Sequence, residues 1–234
     1  MALGFRIGLV TVCALLSGVS GLSAAAQTVR DRTDDLQLSG DGRVQSPFFE
    51  VALPVKRTWH AVSLKPTDAG FTADIGAGRT VFARVASFQV EHVDIRVGPK
   101  PGADSSLAEE VKWIADIVDR KSAVAVQLII AQRTRLKADG GTLLFFHLDK
   151  NLSRLEPRGY CNSWSAMSID SGVPGLGGRD LRTQHRGRVC FDTSSPAMVS
   201  LRYSERRPQA LEDHSEFGSE ARTFLDSLKF KPGE

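Results

Sequence analysis

The chain has 234 residues, 41% of them hydrophobic, 24% charged and 7% aromatic, with Lys+Arg at 30, Asp+Glu at 27 and a formal net charge of +3. That balance is globular, and it excludes both wholesale disorder and a polytopic membrane protein. So small a positive excess gives no electrostatic case for DNA, RNA or an acidic membrane surface as the main partner.

Residues 1–26 read as a secretory signal peptide. Arg6 is their sole charge, residues 7–16 (IGLVTVCALL) form a short apolar run, and Ala24 and Ala26 fit an A-x-A cleavage site. The rival is an uncleaved anchor, because residues 7–29 carry no charge apart from their flanks. Ser17, Gly18, Ser20, Gly21 and Ser23 dilute that stretch and favour cleavage. Cys13 sits inside the apolar run, not at a lipoprotein cleavage point. The expected location is periplasmic or secreted, with the bacterial periplasm preferred and a membrane met only during export.

Residues 27–46 are polar and charged and read as a flexible leader, with a single domain over 47–234. Phe49, Val51 and Leu53 alternate with Glu50 and Ala52 before Pro54, a strand pattern. Residues 59–64 (WHAVSL) and 71–75 are further strands, separated by a turn at 66–70. Residues 81–97 form the longest extended stretch. It is apolar on both parities at first (Phe82, Ala86, Phe88; Val81, Ala83, Val85), as a central strand covered on each side requires, with a bend expected near Glu91 and His92.

After a breaker at 98–104 a helix begins. Ser106 with Glu109 fits a capping box, and Leu107, Val111, Ile114 and Val118 share a stripe widened by Trp113 and Ile117. Val124, Val126, Leu128 and Ile130 alternate as a strand, residues 137–141 (KADGG) suit a hairpin turn, and 143–148 (LLFFHL) suits a buried strand. Residues 160–169, 188–191 and 198–203 are extended. A second helix follows, with an Asp213–Glu216 cap and Phe217, Ala221, Phe224, Leu225 and Leu228 at helical spacing; Phe230 pins its end. The sum is an α+β fold: a largely antiparallel twisted sheet of about eight strands carrying two main amphipathic helices.

Once Cys13 leaves with the signal, Cys161 and Cys190 remain, and in an oxidising compartment their default is one disulfide. It closes a glycine- and arginine-rich loop, 161–190, and such closure contributes roughly 3–4 kcal/mol. A metal site with His185 lacks close ligand pairs, and a redox pair lacks C-x-x-C.

The early FFEVALP strand leading to Trp59, a mid-chain helix, the late Tyr203-Ser204-Glu205-Arg206 segment and the closing FLDSLKF helix resemble small exported bacterial proteins with a PsbP/Mog1-like α/β/α sandwich. The likeness spans most of 47–230. It implies an accessory or binding protein more than an enzyme, and it assigns no residue a role.

No catalytic or cofactor motif stands out, so no catalytic residue, metal or cofactor is expected. His60, His92, His147, His185 and His214 form no zinc-hydrolase pair, and His147 reads as a core histidine satisfied on a strand. Glu91 and His92 diverge on alternate faces of a strand. There is no nucleophile elbow, and the glycines at 175, 177 and 178 fit neither phosphate-binding pattern. Asn151-Leu152-Ser153 matches the glycosylation triplet by chance.

The sharpest local feature is basic. Arg179, Arg182, Arg186 and Arg188 surround His185, opposed only by Asp180, and Arg202, Arg206 and Arg207 follow. Arginine forks bind carboxylates and phosphates bidentately. The segment is a candidate site for an anionic envelope ligand or an acidic envelope protein, against the plain alternative of a solvated loop. The reading is an exported, non-enzymatic binding or accessory protein. The alternatives are a hydrolase with dispersed residues and a structural or stress-related envelope factor.

Overall fold

The longest alternating stretches of the sequence become the centre of an eight-stranded antiparallel sheet. A computed structural model describes residues 36–89, 106–138, 141–149, 151–171 and 178–232. The signal segment, the start of the leader, the bend near Glu91 and His92, the 98–104 breaker, Asp139-Gly140 and the glycines at 172–177 lie outside the described residues. The strands are β1 (Gln37–Leu38), β2 (Arg43–Gln45), β3 (Phe49–Ala52), β4 (His60–Lys65), β5 (Asp68–Gly76), β6 (Arg79–Gln89), β7 (Thr142–Leu148), β8 (Ser153–Arg154), β9 (Tyr160–Asp170), β10 (Leu181–Phe191), β11 (Ala197–Pro208) and β12 (Lys229–Phe230). The helices are α1 (Leu107–Ala138) and α2 (Phe217–Asp226). The large sheet runs β4-β5-β6-β11-β10-β9-β7 with β8 beside β9, and a four-stranded sheet runs β1-β2-β3-β12.

The α+β class, the two helices and the disulfide stand as expected. Ser106 and Glu109 form the reciprocal cap: the Ser106 N–H donates to Glu109 Oε2 at 2.9 Å, and the Glu109 N–H donates to Ser106 Oγ at 3.3 Å. The strand expected over 124–130 is instead the second half of α1. No Gly or Pro interrupts residues 106–138, so nothing stops the capped helix. Its buried positions, Ile117, Lys121, Val124, Ala125, Ile129, Gln132 and Leu136, repeat every three to four residues, whereas Ile130 is 51% exposed.

Three further expectations are corrected. Residues 36–46, assigned to the leader, carry β1 and β2, because Val44 and Leu36 insert into the core at 0% and 4% exposure. The segment 143–148 is an edge strand with a bulge between Leu143 and Phe145, which leaves Leu144 and Phe145 48% and 46% exposed. At α2, Asp213 does not cap; it pairs with Arg207, and the N-cap is Glu216 without a side-chain bond.

The 161–190 segment is mostly ladder. β9 and β10 pair over their whole lengths, and Cys161 stands directly opposite Cys190 with 4.1 Å between Cα atoms. That is the close spacing of a non-hydrogen-bonded antiparallel pair. The bond therefore ties two strands together at the base of a hairpin, with both sulfurs in the core.

The covering layers are offset. α1 lies over β7, β9 and β10 on one face, packing Val124, Ala125, Ile129 and Leu136 against Trp164, Ala166, Val189 and Phe191. On the other face α2 and the small sheet bury β5, β6 and β11: Phe217, Ala221, Phe224 and Phe49 meet Phe71, Val81, Val85, Leu201 and Tyr203. Two diagonally opposed quarters of the large sheet stay uncovered by either helix. No helix among the described residues is long and apolar enough to cross a membrane.

Candidate functional site

β10 alternates strictly, so its side chains divide between the faces. Leu181, Thr183, His185, Gly187 and Val189 are buried toward α1, while Arg182, Gln184, Arg186 and Arg188 face the other way. The basic cluster of the sequence is thereby dispersed. Arg179 is exposed beyond the start of β10 beside Asp180 and Pro208. Arg182 is opposite Arg207, which bonds Asp213 and the Leu211 carbonyl. Beside them Glu205 is fully buried; burial raises its carboxyl pKa, opposed by His214, Arg207 and Arg79. Of the four arginines at 179, 182, 186 and 188, Arg186 and Arg188 come together in a concavity.

That concavity is a groove of about 220 Å³ between α2 and the uncovered face of β7, β9 and β10. Two cross-strand rows build its floor. His147, Ser165 and Arg186 lie side by side on β7, β9 and β10. In the next row Ser163 faces Arg188, and the Asp149 N–H donates to the Ser163 carbonyl at 2.9 Å. Strands lie about 4.8 Å apart, so neighbouring side chains within a row are spaced to contact one small anionic group together. Arg222 and Leu225 of α2 close the side.

The charges lining the groove are unequal. Arg188 is held by Asp226. Asp149 is the one carboxylate on the lining and accepts the Asn151 N–H. Arg186 and Arg222 are exposed, and neither has a carboxylate partner among the described residues. Two guanidinium forks with serine hydroxyls and an imidazole between them can clamp a carboxylate or a phosphate. Solvent access keeps each contact modest.

His147 was expected in the core; the structure puts it on the exposed side of an edge strand, lining the groove. His147, Ser163, Ser165 and Arg222 are the lining residues that sequence reasoning missed. The register carries a signal for two of them: with Cys161 opposite Cys190, each step along β9 matches a step back along β10, so 163 faces 188 and 165 faces 186.

His185 belongs to the other face. Its ring is 6% exposed, with Nδ1 2.9 Å from Ser204 Oγ and Nε2 3.3 Å from Ser168 Oγ, and it stacks near Trp164. Burial first, and Arg202 second, lower its pKa to about 3. A metal site uniting His185 with the cysteines is ruled out by this geometry, since Cys161 and Cys190 are bonded to each other and face away from the ring. Among the described residues no group of three or more His, Cys, Asp or Glu side chains converges.

No protein-family model matches the chain, and no curated protein sequence matches it. The weakly similar solved structures include two proteins. One is LpqN, involved in cell envelope biogenesis of Mycobacterium tuberculosis, at 11% identity over 79% of this chain and 83% of that one, with a TM-score of 0.33. The other is a protein of Bacteroides thetaiotaomicron VPI-5482 at 9% identity, with a TM-score of 0.34, covering 86% of this chain and 49% of that one. The chain thus spans about half the length of the second. At these scores neither likeness decides fold or function, and neither links the chain to the PsbP/Mog1-like family.

Proposed function

We propose that this is an exported binding or accessory protein of the cell envelope, whose groove between α2 and β7, β9 and β10 holds an anionic group of an envelope ligand or an acidic partner. One observation carries the reading: Arg186 and Arg222, neither with a carboxylate partner among the described residues, converge on the same small groove with His147, Ser163 and Ser165. Export is supported by the signal-like residues 1–26 and by a disulfide of the kind that persists in oxidising compartments.

The experiment is calorimetric titration of the intact, disulfide-bonded protein with inorganic phosphate and with malonate. Binding of at least one anion is expected, and Arg186→Ala with Arg222→Ala weakens it by at least about tenfold, the loss of about 1.4 kcal/mol. Failure of both anions to bind, or full binding by the double variant, sinks the reading.

A hydrolase has one specific observation in its favour, the imidazole of His185 between two serine hydroxyls. Two features count against it. A ring lowered to about 3 is a weak general base near neutrality. Ser168 and Ser204, at 6% and 3% exposure, are poorly reached by a substrate.

A further inference from the structure

The open face of the sheet continues beyond the groove. On β9 the side chains of Ser163, Ser165, Met167 and Ile169 share that face, while Trp164 and Ala166 turn toward α1. One row beyond His147, Ser165 and Arg186 stand Phe145, Met167 and Gln184, and the row after that holds Thr142, Ile169 and Arg182. Residues two apart on a strand are separated by about 7 Å, so Met167 lies about 7 Å and Ile169 about 14 Å from Ser165 along β9. Phe145 is 46% exposed, and Met167 and Ile169 are part-exposed. An apolar strip thus leads along β9 straight out of a basic groove, on one face.

Charge and shape together define what fits. Arg186, Arg188 and Arg222 line the groove against Asp149 on the lining and Asp226 on Arg188, an excess of one positive charge. That balance suits a head with one negative charge. The strip carries no charge on β7 or β9, only Thr142, Phe145, Met167 and Ile169, and Gln184 and Arg182 bound it on the side of β11. A small inorganic ion answers the groove and leaves the strip in water. A neutral hydrocarbon does the reverse. Burial of even one side of a hydrocarbon tail on the strip adds to affinity with every methylene.

We propose that groove and strip are one site whose ligand is a single-chain anionic amphiphile: a carboxylate head held by Arg186 and Arg222, with an unbranched tail laid along β9 over Phe145, Met167 and Ile169. The proposal rests on the anion-binding reading of the groove and names the class of ligand.

The test is calorimetric titration of the intact, disulfide-bonded protein with acetate, butyrate, hexanoate and octanoate below their micellar concentrations, beside phosphate and malonate. Affinity is expected to rise about twofold with each added methylene, half the gain of full burial, so that octanoate binds at least about tenfold tighter than acetate. Arg186→Ala with Arg222→Ala weakens octanoate at least about tenfold. Phe145→Thr with Met167→Thr brings octanoate to within about threefold of acetate, with phosphate and malonate binding and the near-ultraviolet circular dichroism unchanged. Octanoate no tighter than acetate, or undiminished by Phe145→Thr with Met167→Thr, overturns the amphiphile, and small-anion binding that still depends on Arg186 and Arg222 then upholds the groove. Silence of every probe overturns both. Capture by anionic phospholipid vesicles without any response to octanoate in solution assigns a bilayer surface instead and also overturns the proposal.

Discussion

At the scale of single residues, the fold accommodates several polar groups in the interior by bonding them. Lys121, 5% exposed, donates to the carbonyls of Asp192 and Ser195 at 2.6 and 2.9 Å. Glu220, 6% exposed, accepts from Tyr203 at 2.7 Å and from Arg57 at 2.5 Å. His185 is the group whose burial has the clearest cost with pH. In the unfolded chain its imidazole titrates near 6.5, whereas in the fold it is lowered to about 3. Between those values the unfolded chain binds a proton that the folded chain refuses. Stability from this group is therefore complete above about 6.5 and is lost as the pH falls toward 3, by a total on the order of 5 kcal/mol. Urea unfolding across that range, compared with His185→Gln, should show the wild type losing more stability on acidification than the variant. Parallel curves would show that the ring does not hold its neutral form. Gly187 is the other decisive residue. A Cβ there meets the Trp164 ring at 2.4 Å, and that ring is fixed by stacking on Phe146 at 5.5 Å. Gly187→Ala should cost about 2 kcal/mol and weaken the near-ultraviolet circular dichroism of Trp164. An unchanged unfolding midpoint would mean that the indole has room to shift.

At the scale of elements, the β9–β10 hairpin organises the groove on one face and the His185 cluster of hydroxyls on the other, and the disulfide sits at its base. Cross-linking residues separated by 29 positions is worth roughly 3–4 kcal/mol in the chain-entropy account. The double variant Cys161→Ala with Cys190→Ala should lose about 3 kcal/mol in urea under non-reducing conditions. A midpoint equal to that of the wild type would show that the ladder alone fixes the hairpin. The strands with strict alternation were legible in the sequence, and so was the Ser106 cap, because side-chain parity and capping are local rules. The length of α1 was not: the Val124, Val126, Leu128, Ile130 alternation fits a strand equally well, and only burial against Trp164 and Val189 chooses the helix. The glycines at 172, 175, 177 and 178 drew attention to a loop and hid the flanking strands, because Arg182, Gln184 and Arg186 on one parity of β10 and Thr183, His185 and Gly187 on the other leave no apolar stripe to read. The groove was half legible for the same reason. Its two strand arginines were visible as charge, while His147 and Arg222 arrive from other elements through a bulged register and a helix contact that local patterns do not encode.

At the scale of the molecule, the offset layers explain why a chain with so little net charge holds concentrated charge. The core is built on two opposite quarters of the sheet, and Arg186, Arg188 and Arg222 meet at one of the quarters that neither helix covers. Export is a property of the whole chain and is tested on the whole chain. Intact mass spectrometry of native material should show loss of residues 1–26 and a mass two hydrogens below that of the reduced form, since Cys161 and Cys190 are joined. A retained Met1 would contradict cleavage, and titratable thiols would contradict the oxidised state.

The alternation of β10 also limits how this protein can vary. His185 and Arg186 are adjacent in the chain, yet they belong to the hydroxyl cluster and to the groove, on either side of a partition one backbone thick. Deleting or inserting one residue within that strand inverts every side chain beyond the change. The arginines then turn under α1 and the imidazole turns outward, so cluster and groove fail together. Each can diverge by substitution without disturbing the other, but neither tolerates a frameshift in spacing. Changes in length are confined to the chain beyond the two ends of the strand.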